Sequence, residues 1–168
     1  MNTLNRMMIS VILIAGCGAV AANAEEAKSI KDAISHLYAR ESKAMEARNL
    51  SMILRNYAPT YYQVMPNGTK IKLINVQLSL PKLFKVASDV KDYFSVTGFA
   101  FYPQATISTI RHKTVAMIPD AKSKKLVRFV AESVSQDSWV RKEGSWVMIS
   151  AKVVSEVQSL DGKVVKRK

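Results

Sequence analysis

The stretch DSWVRKEGSWVMISAKVV, Asp137 to Val154, decides the fold. Two runs of strand-forming residues flank a charged turn at Lys142-Glu143-Gly144, and a tryptophan stands on either side, Trp139 and Trp146. Apolar alternation about a glycine-containing turn predicts a β-hairpin. Extended outward, the pattern gives two long C-terminal strands, Leu126 to Arg141 and Ser145 to Val157. Gln104 to Ile110 and Lys113 to Ile118 read as two earlier strands, and Pro119 to Ser123 as a turn. Leu160 to Lys168 reads as a frayed basic tail.

Further upstream, Ala27 to Arg48 contains no glycine or proline and predicts a helix. At about 3.6 residues per turn, Ile30, Ala33, Ile34, Leu37, Tyr38, Ala44 and Met45 fall on one stripe. Asn49 is placed to cap a second short helix, Leu50 to Asn56, ended by Tyr57-Ala58-Pro59. Thr60 to Met65 is strand-like and runs into Pro66-Asn67-Gly68-Thr69, whose Asn-Gly is a strong hairpin signal. Lys70 to Val76 alternates like a half-exposed strand. Pro81 is placed to start a third helix with Leu83, Phe84, Val86 and Ala87 inward. The pattern assigns no element to Tyr93 to Phe101. The order predicts an α+β domain, a curved antiparallel sheet folded over the N-terminal helix, with two further short helices.

The N-terminus reads as an export signal. Arg6 forms a minimal basic region, Met7 to Ala15 is apolar, and Ala22-Asn23-Ala24 is a small-x-small cleavage site. Residues 1–24 are then a signal peptide, 25–160 one domain and 161–168 a basic tail, with the product periplasmic or secreted. Ile14-Ala15-Gly16-Cys17 supports an alternative, a lipoprotein anchored through Cys17. Cys17 is the only cysteine, so cleavage after Ala24 leaves a domain without disulfides, held by its apolar core. The formal charge is +12. Such a surface favours an anionic envelope surface as a partner, and export argues against nucleic acid.

The chain resembles the nuclear transport factor 2-like superfamily, in particular its SnoaL-like and ketosteroid-isomerase-like small domains. The resemblance is carried by Ala44 to Ala58, which looks like that family's helix, Gly-Asp-Leu, short-helix passage, and by Asp137, Trp139, Gly144 and Trp146, which look like its closing hairpin. It implies a cone-shaped α+β barrel around a pocket, often as a homodimer. It also implies where steroid-isomerase chemistry fails. The general-base position before a proline on the first strand looks like Met65, and a thioether accepts no carbon-acid proton. The oxyanion-donor position on the first helix looks like Glu41, and an ionised carboxylate there repels an oxyanion.

Glu41 is the sharpest anomaly, an acid inside the apolar stripe. A buried carboxyl must be hydrogen-bonded, paired or protonated. It is the candidate catalytic residue, against the alternative of a structural carboxylate. Tyr38 and Tyr61 could offer hydroxyls to a pocket, Met45 and Met65 an adaptable apolar lining, and Phe129, Ser133 and Trp139 one wall of it. Core packing is the competing reading for each. His36 lies on the polar side of the helix, and His112 in the basic run Arg111-His112-Lys113. No metal-binding spacing, nucleophile elbow or phosphate loop is present, so neither metal nor cofactor is expected. Three functions stay open. The first is a non-catalytic exported protein binding a small apolar or amphipathic molecule. The second is a sheet-mediated dimeric module at the envelope, and the third a cofactor-free SnoaL-like lyase or isomerase using Glu41. An enclosed cavity with Glu41 and a tyrosine hydroxyl both facing it would favour the enzyme.

Overall fold

The structure, a computed structural model, describes residues 23–121 and 123–167, with the side chains of 166 and 167 excepted. Cys17 and all of the expected signal peptide before Asn23 lie outside the described residues. The chain runs α1 (Ala24–Glu46), α2 (Leu50–Leu54), β1 (Tyr57–Val64), β2 (Lys70–Lys72), α3 (Leu73–Val86), β3 (Ser88–Tyr102), β4 (Ala105–Pro119), β5 (Leu126–Lys142), β6 (Ser145–Leu160) and β7 (Lys163–Arg167). The strands form a sheet ordered β2-β1-β6-β5-β4-β3, with β7 also paired to β6. Among the described residues, β1 and β6 pair in parallel and the other pairs are antiparallel.

Local chemistry explains most boundaries. Asn23 caps α1 by accepting from the Glu26 N–H at 2.7 Å, and Asn49 caps α2 by accepting from the Met52 N–H at 3.1 Å. The β5–β6 hairpin closes where Lys142 faces Ser145. Both loop residues, Glu143 and Gly144, take left-handed angles, φ 51° and 81°, as a two-residue turn requires. The β1–β2 turn is closed by the Met65 N–H donating to the Thr69 carbonyl at 2.9 Å. Irregular registers at Val96/Gly98, Val134/Ser135 and Ser138/Trp139 bend the long strands. The bent sheet can therefore close over α1.

Several expectations are corrected. Leu73 to Val76 is not strand but the start of α3. Pro81 lies inside that helix rather than at its first turn. The Lys72 N–H donates to Asn75 Oδ1 at 3.0 Å, so the helix is closed off at Lys72 and not at the proline. Leu83 and Phe84 pack inward as expected, but Val86 is 53% exposed. One strand, β4 (Ala105–Pro119), stands where Gln104 to Ile110 and Lys113 to Ile118 read as two, and Tyr93 to Phe101 belongs to β3. Lys163–Arg167 is no frayed tail. It pairs with β6 after a turn at Asp161 and Gly162, φ 45° and 79°.

The main core joins Ile34 and Tyr38 of α1 to Tyr61, Ile110, Trp139, Met148 and Ala151 of the sheet. Trp139 is fully buried. A smaller cluster sits where α1 meets α2, and another under the start of β3.

Candidate functional site

Beside the main core, α1 and the sheet enclose a partly open cavity of about 240 Å³. Tyr38, Glu41 and Met45 reach it from α1, and Tyr57 and Tyr61 from β1. Asp92 and Phe94 come from β3, His112 from β4, and Ser133, Ser135 and Asp137 from β5. Val76 and Leu80 of α3 close one side. Among the described residues, no lysine or arginine lines it.

One end of this lining is a closed polar network. The Tyr38 hydroxyl donates to Asp137 Oδ2 at 2.7 Å and meets Ser108 Oγ at 2.7 Å. Trp139 Nε1 donates to both hydroxyls, at 3.2 and 3.0 Å, and the Ser135 hydroxyl donates to Asp137 Oδ1 at 2.7 Å. Burial raises the Asp137 pKa, and the Tyr38 and Ser135 donors hold that rise back. Burial beside Asp137 raises that of Tyr38, which remains a phenol. Both carboxylate oxygens are satisfied, so this group joins α1, β4 and β5 structurally.

The other acids are not satisfied. Glu41 is buried at 7% exposure, and its Oε1 accepts from the Tyr57 hydroxyl at 2.7 Å. Its Oε2 is buried without a partner. Burial pushes the Glu41 pKa up to about 7, against the hydrogen bond from Tyr57 and the charge of His112. Asp92 Oδ1 lies 2.7 Å from His112 Nε2 and accepts from the Thr114 hydroxyl at 2.7 Å, while Asp92 Oδ2 is buried and unpaired. The His112 ring stacks on Phe94, centroids 4.2 Å apart and planes at 5°. Burial works against its charged form, yet the hydrogen bond and charge of Asp92, helped by Glu41 and Asp137, carry its pKa above the usual value. Two carboxyl groups, each with one unpaired buried oxygen, and one imidazole thus line a single space.

The candidate residues separate in place. Tyr38, Glu41, Met45, Tyr61 and Ser133 line the cavity. Met65 lines an adjoining cleft of about 200 Å³ that shares Gln63, His112, Ser133 and Val153 with it. Phe129 and Trp139 do not line it, which corrects their assignment to its wall. Phe129 packs on the Ala87, Val90 and Ala116 cluster, and Trp139 is sealed behind Tyr38, rings edge-to-face at 5.4 Å. His112 is corrected too. Arg111 alternates outward, whereas His112 sits at an inward position between Ile110 and Thr114. The sequence reading missed Tyr57, Asp92 and His112. Extending the alternation from Ile110 through Thr114 to Ala116 would have turned His112 inward, and its antiparallel partner strand would have brought Asp92 with it.

Neither a protein-family model nor a curated protein matches the sequence. Solved structures do match. A conserved protein from Planctomyces limnophilus DSM 3776 superposes with a TM-score of 0.65 at 7% identity, covering 74% of this chain and 94% of that one. Hexachlorocyclohexane dehydrochlorinase LinA-type3 from Novosphingobium barchaimii LL02 gives 0.61 at 10%, covering 86% and 92%. A nuclear transport factor 2-like superfamily protein from Salmonella enterica subsp. enterica serovar Typhimurium str. LT2 gives 0.57 at 11%, covering 76% and 91%. The chain has the nuclear transport factor 2-like cone fold. Identities this low speak for the fold, and activity must be argued from the site.

Proposed function

We propose that the protein holds one small, partly apolar molecule inside the cone and moves a proton on it without a cofactor, as a lyase or isomerase does. The observation that carries this reading is Glu41. One of its oxygens is held by the Tyr57 hydroxyl, the other is buried without a partner in the cavity lining, and its pKa is pushed up to about 7. A base is most effective when its pKa lies near the working pH. The His112–Asp92 pair, 2.7 Å apart, supplies a second proton carrier in the same space. The cavity volume lies below the roughly 300–1,000 Å³ of drug-sized sites, so the molecule is small. Export to the periplasm or beyond, by a cleaved signal or through Cys17, belongs to this proposal.

Native mass spectrometry of the protein purified from the cells that make it tests the reading. The expected result is a small adduct, absent from a cavity-filling Ala151→Phe variant. Incubated in heavy water, the released compound carries deuterium on carbon with the wild type and none with Glu41→Gln. An adduct lost in Ala151→Phe but carrying no deuterium with the wild type means a passive carrier. No adduct, or one retained by Ala151→Phe, overturns the reading.

The outside supports a docking role. Ile74 and Leu78 stand 53% and 59% exposed on α3, on one stripe with Lys82 and Lys85. That combination suits an anionic envelope surface. A sheet-against-sheet homodimer has weaker support, because the outer face carries Arg111 and Lys113, although Glu132 pairs with Lys113 at 2.7 Å.

A further inference from the structure

The open oxygens on Glu41 and Asp92 make a demand of whatever fills the cavity. Buried carboxylate oxygens without donors are costly, and that cost is already met when the chain folds. A ligand that brings N–H donors to them regains it. A ligand that brings only acceptors, or a negative charge, makes it worse. The charges facing Glu41 are Asp92 from β3, His112 from β4 and Asp137 from β5; the neutral phenols are Tyr38 from α1 and Tyr57 and Tyr61 from β1. Three carboxyl groups face this space against one imidazole, and among the described residues no lysine or arginine lines it, so the lining offers acceptors to a cation. The aromatic walls Tyr57, Tyr61 and Phe94 also favour a cationic headgroup over an anionic one.

We propose that the cavity selects a small amphipathic amine, its ammonium group set between the unpaired oxygens of Glu41 and Asp92 and its apolar part against the Met45, Ile53 and Leu80 side. The inference rests on the cavity being the ligand site, and it adds the chemical class. It runs against the charge of the whole protein. The formal charge is +12, yet among the described residues no lysine or arginine lines the cavity, so acidic small molecules, which the overall charge would attract, are disfavoured at the site itself.

Isothermal titration calorimetry of the full exported chain with 2-phenylethylamine and its neutral isostere 2-phenylethanol tests the class. At pH 8 the amine binds at least tenfold more tightly. At pH 7 its binding releases protons, seen as a heat that depends on the buffer, because a cation beside Glu41 favours the ionised carboxyl. Glu41→Gln removes the proton release and most of the tenfold preference. If the alcohol binds as well as the amine, the amine class is overturned while the cavity stands as a ligand site. If neither binds, both readings fall. If the amine preference survives both Glu41→Gln and Ala151→Phe, the amine binds elsewhere and the proposal is wrong.

Discussion

Glu41 carries one carboxyl under two constraints. The Tyr57 hydroxyl holds one oxygen at 2.7 Å, and burial leaves the other without a partner. Its pKa is raised from 4.5 to about 7, so the folded chain binds this proton more tightly than the unfolded chain. The stability it lends is fully present below pH 4.5 and is lost as pH rises through about 7. Each pKa unit corresponds to about 1.4 kcal/mol, so the loss is on the order of 3 kcal/mol. Glu41→Gln removes it, and thermal melts should show the variant gaining on the wild type between pH 5 and pH 8. A difference constant with pH would mean that the carboxyl titrates normally. Tyr38 responds differently. Tyr38→Phe takes a donor from Asp137 Oδ2 and an acceptor from Trp139 Nε1. It should cost about 1–3 kcal/mol in urea unfolding, since the buried Asp137 Oδ2 is left without a donor while Trp139 Nε1 keeps Ser108.

At the level of single elements, the β5–β6 turn and α3 stand at opposite extremes of legibility. Gly144 at φ 81° does what the Lys142-Glu143-Gly144 signal predicts. Gly144→Val should destabilise by about 1–2 kcal/mol in the same assay, because a β-branched residue resists left-handed angles. Helix α3 was hidden by Pro81, which reads as a helix start yet is the ninth residue of the element. The interior proline removes a hydrogen bond and crowds the preceding turn. Pro81→Ala should therefore stabilise by about 2 kcal/mol after allowance for the freer unfolded chain. The exposed Ile74 and Leu78 compounded the misreading, since α3 has no fully buried residue and its pattern lacks a clean stripe. Glu41 stood out because a helix stripe is read from neighbours in sequence. Asp92 and His112 did not, because their meeting depends on the β3–β4 register, and the sequence assigned β3 no element there.

Across the whole molecule, basic groups cover the outside while three of the thirteen acids, Glu41, Asp92 and Asp137, face inward. The chain should co-sediment with vesicles containing an anionic lipid. Binding should weaken steadily as salt approaches 1 M, where the Debye length falls to about 3 Å, and weaken further in a Lys82→Glu, Lys85→Glu variant. Salt-independent sedimentation would mean that the exposed Ile74 and Leu78 act alone. The satisfied group of Tyr38, Ser108, Ser135, Asp137 and Trp139 bears on the history of such a fold. It rivets helix to sheet without using the half of the chamber where Glu41 and Asp92 keep a free oxygen. Substitutions there can rewrite what the protein recognises while the rivet keeps it standing. Descendants of one ancestor could thus diverge in chemistry long before they diverge in shape.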